Sequence, residues 1–217
     1  TAASAAVIEG GNASGQVLGS DTDRGDSLQY SLVSKAPVGL SFSSDGNWTF
    51  DANQATLESL GAGETRTFVV TYAASDTAGA SGTATLTIVV TGTNDAPVAL
   101  AASSALLEDG AATGQLIATD VDNGHSLTFS LDGAAPEGLS LAADGSWTFD
   151  SNLYEYQALS EGEERQFAIG YTVIDEHGAA SQSTLTVSLT GSNDRAVTTS
   201  HWAEGTEGES GTGQLIG

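Results

Sequence analysis

The chain repeats its own sequence at a fixed spacing of 99 residues, and this repeat limits the folds open to it. Gly15-Gln16-Val17-Leu18 returns as Gly-Gln-Leu-Ile at positions 114 and 213, and Asp-Gly-Asn-Trp-Thr-Phe-Asp at 45 returns at 144 with Ser for Asn. A unit of this size can bury its own core, unlike the short units of a solenoid. We therefore predict domains at residues 1–95 and 96–194, and the incomplete start of a third repeat at 195–217.

Each repeat has the pattern of an all-β sandwich. Runs of alternating or β-branched residues are separated by clusters of Gly, Asp, Asn and Ser. In the second repeat we predict seven strands, at 106–107, 114–118, 126–131, 138–141, 146–149, 165–174 and 183–190, with no more helix than a turn at 154–159. Seven short strands in about 100 residues is the count of an immunoglobulin-like domain.

Large aromatic residues at matching positions supply the predicted cores. A sandwich this poor in large side chains needs its tryptophans inside, so we prefer core packing over carbohydrate stacking for Trp48 and Trp147. Four more aromatic residues alternate along one face of the long strands: Phe68, Tyr72, Phe167 and Tyr171.

The charge balance excludes several classes of partner. The chain has 28 acidic and 5 basic residues, a net charge of −23. Such a field repels nucleic acid and anionic membrane surfaces and attracts divalent cations. No apolar run approaches the roughly 20 residues that span a bilayer.

The chain has no Cys, so disulfides cannot stabilise its domains. Something else must do so, and bound metal is the natural candidate.

Strand counting places carboxylates from three segments at the junction between the repeats. The linker contributes Asn94 and Asp95, and loops of the second repeat contribute Asp120, Asp122 and Asp175. The first repeat contributes Glu9 and a segment with Glu58 and Glu64, of which we include Glu64. The equivalent positions of the other junctions complete the candidate ligands: Asp21, Asp23, Asp76, Glu108, Glu163, Asn193 and Asp194.

A hard cation that takes six to eight oxygen ligands fits this set, and Ca²⁺ is the predicted cofactor. The lack of Cys and the presence of only three His argue against a soft-metal site. The alternative is that these Asp and Asn residues only form Asx turns. Clustering so many carboxylates without a cation would, however, cost several kcal/mol of repulsion.

Two phrases carry a resemblance to a known family. Thr-Gly-Thr-Asn-Asp-Ala-Pro-Val at 91–98 and Asp-Gly-Ser-Trp-Thr-Phe at 144–149 resemble the VCBS and cadherin-like tandem repeats of large bacterial secreted adhesins of the RTX type. The resemblance implies cadherin-like sandwiches, calcium at the junctions, type I export, a secreted, extracellular or cell-surface location, and a role in adhesion or biofilm formation. The second linker departs from the pattern, because Arg195 replaces Ala and the Pro is lost.

We expect no enzyme, because the sequence has no nucleophile elbow, no phosphate-binding loop and no recognisable catalytic set. The favoured function is a calcium-stabilised extender module that holds a distal binding region away from the cell. The alternative is a calcium-dependent lectin-like module, for which His201-Trp202, Tyr154 and Tyr156 are the available aromatics. We expect a monomer whose partners are neighbouring repeats and calcium, with host glycans or proteins bound through other regions.

Overall fold

The computed structural model describes residues 2–23 and 27–195. Apart from Arg195, the predicted third-repeat segment 195–217 lies outside the described residues, as do His201 and Trp202. Sixteen strands and no helix occur in the described part. No helix in that part is long and apolar enough to cross a membrane.

The first domain is a sandwich of a four-stranded and a three-stranded sheet. The larger sheet has the order β1-β7-β6-β3 and the smaller has the order β2-β5-β4. β1 runs parallel to β7, and the other pairs are antiparallel. The strands are β1 Ala3–Ile8, β2 Asn12–Gln16, β3 Gln29–Leu32, β4 Leu40–Phe42, β5 Asn47–Asp51, β6 Thr65–Ser75 and β7 Ser81–Thr91.

The second domain repeats this sandwich and adds a two-stranded ladder. Its sheets have the orders β9-β16-β15-β12 and β10-β14-β13, and the extra ladder joins β8 to β11. The strands are β8 Val98–Ala99, β9 Ala102–Leu107, β10 Ala111–Gln115, β11 Ala118–Thr119, β12 Thr128–Leu131, β13 Leu139–Leu141, β14 Ser146–Asp150, β15 Glu164–Ile174 and β16 Ala180–Thr190. The predicted all-β sandwich fold is confirmed.

Three details differ from the predicted strands, and one of them is β8, at which no strand was predicted. The first strand is longer than 106–107, because residues from Ala102 onward pair in parallel with β16. The single strand predicted at 114–118 is two strands, since β10 pairs with β14 while β11 pairs with β8. The chain changes partners at Leu116, which is buried between them. The structure also has a turn where one was predicted, at 154–159, and there Tyr156 donates its N–H to the Leu153 carbonyl.

Each domain buries its own apolar cluster, and the two clusters share no residue. Trp48 and Trp147 are each 5% exposed, as core packing requires. Each indole lies on a strand-paired glycine: a Cβ at Gly114 would stand 2.7 Å from Trp147, and Gly15 has the same relation to Trp48. Tyr72 and Tyr171 are buried, and Phe68 and Phe167 pack against the clusters from partly buried positions.

Candidate metal centre

The linker between the domains is tied directly to two loops of the second domain. The backbone N–H of Asp95 donates to Oδ2 of Asp122 at 2.9 Å. The Asn94 side-chain amide donates to Oδ2 of Asp175 at 2.8 Å and to the Asp95 carbonyl at 2.8 Å. Asp122 lies in the β11–β12 loop and Asp175 follows β15, so both loops lie at the end that faces the linker.

Both loops hold their carboxylates with their own backbone. Asp122 donates its N–H to Oδ1 of Asp120 at 3.0 Å, which closes the Asp-x-Asp turn. Oδ1 of Asp175 accepts the N–H groups of His177 and Ala179 at 2.8 and 2.9 Å. Hydrogen bonds, first from Asn94 and then from the backbone, lower the pKa of Asp175, so this carboxylate is held in its charged form.

The first domain brings two glutamates to the same place. Glu9 follows β1, and its Oε2 accepts the N–H of Thr93 at 2.9 Å. Glu58 lies in the turn between β5 and β6. Carboxylate oxygens of Glu9, Glu58 and Asp95 all lie within 4.8 Å of one another. Three carboxylates from three separate segments therefore converge where the domains meet.

The junction also contains most of the unsatisfied buried oxygens in the described part of the chain. Five buried side-chain oxygens there have no hydrogen-bond partner, and four are at this junction: Glu9 Oε1, Glu58 Oε1, Asp120 Oδ2 and Asp122 Oδ1. Leaving a buried polar group unpaired costs about 1–3 kcal/mol, and more when the group is charged. Several unpaired buried oxygens at one place therefore call for a physical explanation, such as a bound ion.

The electrostatics of the junction favour a cation. Burial, followed by the neighbouring carboxylates of Glu58, Asp95 and Asp122, raises the pKa of Glu9 against a backbone hydrogen bond that lowers it. Burial also raises the pKa of Asp122, and Asp120 and Asp95 add to the effect. A positive charge at this place would satisfy the unpaired oxygens and relieve the repulsion. The donors are all oxygens, which is the set that Ca²⁺ prefers and soft metals do not.

The structure brings together all but one of the predicted ligands of this junction, and Glu58 takes the place of the missing one, Glu64. Glu9, Asn94, Asp95, Asp120, Asp122 and Asp175 are at the junction. Glu64 is exposed, and its Oε2 accepts the N–H of Gly61 at 3.2 Å while its own N–H donates to the Gly61 carbonyl. Glu58, which lies in the same segment and is not among the predicted ligands, is in the cluster instead.

The second repeat explains what Glu64 does. Its counterpart, Glu163, makes the same two contacts with Ser160: Oε2 accepts the Ser160 N–H at 3.0 Å, and the Glu163 N–H donates to the Ser160 carbonyl. A glutamate that closes the same loop in both repeats has a structural role in each. The signal for Glu58 was weak by comparison, because the equivalent residue in the second repeat is Gln157.

The remaining predicted ligands lie in two groups, one at the outer end of each domain, and we call each group a half-site. Their local geometry matches that of the equivalent residues at the junction. Asp23 donates its N–H to Oδ1 of Asp21 at 2.8 Å, as Asp122 does to Asp120. Oδ1 of Asp76 accepts the Ala80 N–H at 2.9 Å, as Asp175 does from Ala179. These three aspartates lie at the end of the first domain that corresponds to the junction face of the second.

The other half-site is at the far end of the second domain. Glu108 is fully buried, its Oε1 accepts the Ser192 N–H at 2.5 Å, and its Oε2 has no partner in the described residues. Glu9 has the same pairing with Thr93. Asn193 and Asp194 follow Ser192 and are exposed. As metal ligands, the residues of both half-sites remain predictions.

A direct contact also joins the domains beside the carboxylates. The Asn123 N–H donates to the Ser59 carbonyl at 3.0 Å. Gly61 lies close by, since a Cβ there would stand 3.7 Å from the Asn123 carbonyl oxygen. Two neighbouring histidines are confined to the second repeat: His125 bonds the Asp122 carbonyl at 2.7 Å, and His177 lies beside Glu176.

Comparison with known proteins matches each repeat to a family of bacterial domains. Residues 94–191 match the family model of the bacterial cadherin-like domain. Residues 1–89 match the family model of the bacterial Ig domain. The cadherin-like part of the resemblance predicted from the linker phrase is thereby confirmed. No curated protein matches the chain.

Solved structures with a similar fold are tandem cadherin domains. Mouse cadherin-23 EC22-24 superposes with a TM-score of 0.57 and 20% identity over 88% of this chain. Human protocadherin-24 EC1-2 superposes with a TM-score of 0.56 and 19% identity, and human mucin-like protocadherin EC1-2 with 0.56 and 14%. The match covers 95% and 96% of these two fragments but 63%, less than two thirds, of the cadherin-23 fragment. At such identities the likeness shows the fold alone.

Proposed function

We propose that this chain is a calcium-stabilised extender module of a bacterial adhesin. Its tandem sandwiches would hold a distal binding region away from the cell. The observation that carries the proposal is the set of four buried, unpaired carboxylate oxygens contributed by both domains at one junction. A cation bound there links the two domains, because its ligands come from each of them.

The residues that would hold the ion are Glu9, Glu58, Asp95, Asp120 and Asp122. The ion would supply positive charge to oxygens that the protein leaves unsatisfied. Asn94 and Asp175 support this set, since the amide of Asn94 positions the linker against the second domain. Removal of the ion would leave the carboxylates to repel one another, which loosens the junction while each core stays intact.

A module of this kind works outside the cell, secreted or attached to the surface. One observation supports this location: both family models describe bacterial domains of the cadherin-like or Ig type. Extracellular calcium modules bind with dissociation constants of about 10⁻⁴ to 10⁻³ M, which matches the calcium available outside cells. Membership of an RTX-type adhesin, and a role in biofilm formation, are part of this proposal. We propose no catalytic role for the chain.

The lectin-like alternative has less support. Of the two tyrosines that it required in the second repeat, Tyr156 is fully buried and Tyr154 is 96% exposed. Among the described residues of the second repeat, a sugar site built on aromatic stacking would therefore rest on Tyr154, while His201 and Trp202 lie outside the described part of the chain. Glycan-array screening of wild type against Tyr154→Ala tests this alternative: a glycan bound by the wild type and lost in the variant would establish it.

The extender proposal is tested by calorimetric titration with Ca²⁺ and by small-angle scattering. We expect a saturable calcium isotherm, a narrower interdomain distance distribution with Ca²⁺, and a broader one in chelator. Mg²⁺ at the same concentration should bind more weakly, because it demands a regular octahedron and keeps its waters. The proposal is wrong if no calcium binds, or if the scattering curve is the same with Ca²⁺ and chelator.

A further inference from the structure

A groove of about 350 Å³ lies in the first domain between the segment after β2 and the start of β7. Polar and apolar groups both line it, and two of the lining residues are aspartates. The residues that matter for its chemistry are Leu18, Asp21, Leu28, Ala74, Asp76 and Gly82. None of them takes part in the junction described above.

The corresponding place in the second domain holds the linker strand. β8 pairs with β11 there, with Ala99 opposite Ala118 and Val98 opposite Thr119. The Leu100 N–H also donates to the Ile117 carbonyl at 3.0 Å. The linker thus adds a short strand along the edge of the segment that follows β10.

Side chains of the second domain also hold the linker in this position, which we call the linker seat. The Tyr171 hydroxyl donates to the Leu100 carbonyl, and the Ala99 N–H donates to Ser181 Oγ at 3.2 Å. At the other end of the segment, Asp122 and Asp175 accept hydrogen bonds from Asp95 and Asn94. The linker is therefore held along its length by protein groups.

The groove of the first domain contains the counterparts of these groups, each 99 positions earlier. Ile117, Ala118, Asp120, Tyr171, Asp175 and Ser181 correspond to Leu18, Gly19, Asp21, Tyr72, Asp76 and Gly82, all of which line the groove. The two aspartate turns already have the conformation of their counterparts, since Asp21 accepts the Asp23 N–H and Asp76 accepts the Ala80 N–H.

We propose that this groove is a docking site for an extended linker segment with the sequence pattern of residues 93–100, donated by another repeat of this kind. The Ala-Pro-Val-Ala part would pair along Leu18 to Ser20. The Asn side chain and the backbone N–H of the Asp would donate to Asp76 and Asp23. Because protein hydrogen bonds seat the linker in the second domain, docking does not depend on calcium and goes beyond the proposed function.

One difference between the two seats gives a directional test. Ser181, which accepts the Ala99 N–H, is replaced by Gly82 in the first domain. A Cβ at Gly82 would have no atom within 4 Å, so a side chain fits there without disturbing the fold. Gly82→Ser restores the acceptor and strengthens docking, whereas Gly82→Leu fills the groove and blocks it.

The experiment places Thr-Asn-Asp-Ala-Pro-Val-Ala, the sequence of residues 93–99, directly before Thr1, which corresponds to Leu100. A control chain carries the same seven residues in scrambled order. Amide hydrogen exchange of residues 18–21 is measured in chelator, where a calcium site makes no contribution. We expect exchange roughly tenfold slower with the native order than with the scrambled one, which is about 1.4 kcal/mol.

The Gly82 variants decide whether the protection comes from the groove. Gly82→Ser should slow exchange further with the native segment, and Gly82→Leu should return it to the scrambled value. Thermal unfolding without any added segment checks that both variants fold like the wild type. Equal exchange with native and scrambled segments, or protection that survives Gly82→Leu, would overturn the proposal.

Discussion

The backbone N–H of Asp95 donates to one carboxylate oxygen of Asp122 across the domain junction, and the other oxygen of Asp122 is buried without a partner. Half of this carboxylate thus fixes the linker, and the other half faces the carboxylate cluster. Burial raises the pKa of the same group, because it disfavours the charged form of the carboxylate. This double role makes Asp122 the most informative single position for testing calcium binding.

Asp122→Asn should weaken calcium binding and lower the melting temperature when calcium is present. Stabilisation by a ligand follows RT ln(1 + [L]/Kd) and reaches about 2.7 kcal/mol at 100 times Kd, so a weakened site loses much of that term. In chelator the variant should be at least as stable as the wild type, because an unpaired buried charge is removed. Thermal unfolding with and without calcium measures both effects.

Asp23→Asn is the matched control, since it changes the equivalent loop of the first repeat away from the junction. It should leave the calcium-dependent stabilisation close to that of the wild type. Equal loss of stability for Asp122→Asn in calcium and in chelator would mean that Asp122 is only a turn residue.

Glu58→Gln and Glu64→Gln separate a ligand from a loop residue. Glu58 lies in the carboxylate cluster, so its neutralisation should weaken calcium binding roughly tenfold, or about 1.4 kcal/mol. Glu64 closes a loop through Gly61, so its neutralisation should leave the affinity nearly unchanged. Calorimetric titration of both variants provides the comparison. If Glu64→Gln has the larger effect, the predicted ligand Glu64 is right and the cluster around Glu58 is not the site.

Trp147→Ala should destabilise the second domain by about 3–5 kcal/mol, the usual cost of deleting a large buried aromatic side chain. The indole is buried and packs directly on Gly114, so no neighbouring side chain can fill the space cheaply. Tyr154→Ala is the control, because its side chain is exposed and should matter by less than about 0.5 kcal/mol. Chemical denaturation measures both; a Trp147→Ala variant of normal stability would contradict the core assignment.

Asp144 predicts a pH dependence that is independent of metal. Its carboxylate accepts hydrogen bonds from the hydroxyl and the N–H of Ser146, and these bonds, the hydroxyl's first, hold its pKa below the ordinary value of 3.8. The folded state therefore binds this proton less readily than the unfolded state. The resulting stability is present above pH 3.8 and is lost as the pH falls through the folded pKa.

The measurement compares Asp144→Asn with wild type by thermal unfolding in chelator. The wild type should be more stable near neutral pH, and the difference should shrink as the pH falls below 3.8. Glu161→Gln, an exposed change of the same charge, controls for the loss of one negative charge. A difference between wild type and Asp144→Asn that is constant with pH would mean that the Ser146 hydrogen bonds do not depend on ionisation.

Several features could be read from the sequence because they are local or repeated. The Asp-x-Asp phrases predicted loops, with Asx turns as the alternative to metal ligation, and in the structure an N–H bond to the first aspartate closes each of them. The 99-residue repeat predicted two similar sandwiches, and the scarcity of other large side chains predicted that Trp48 and Trp147 lie inside, where the structure has them. Such features depend on neighbours along the chain, and the period makes each repeat a check on the other.

The choice between Glu58 and Glu64 could not be made in this way. They are six positions apart in one irregular segment, and no periodic pattern in that segment indicates which of the two residues faces the junction. In the structure, the buried Leu57 anchors the turn, and Glu58 follows it into the cluster, while Glu64 bonds back to its own loop. The tertiary position of the turn decides the outcome.

The sequence alone determined the fold class, the repeat length, the charge and the oxygen chemistry of the candidate ligands, because local pattern and composition set these properties. Only the tertiary structure decided which carboxylates meet, which oxygens remain unpaired, and where the strand predicted at 114–118 divides between two partners. Those outcomes depend on segments far apart in the chain, such as Glu9 and Thr93, which come into contact only when both sheets have packed.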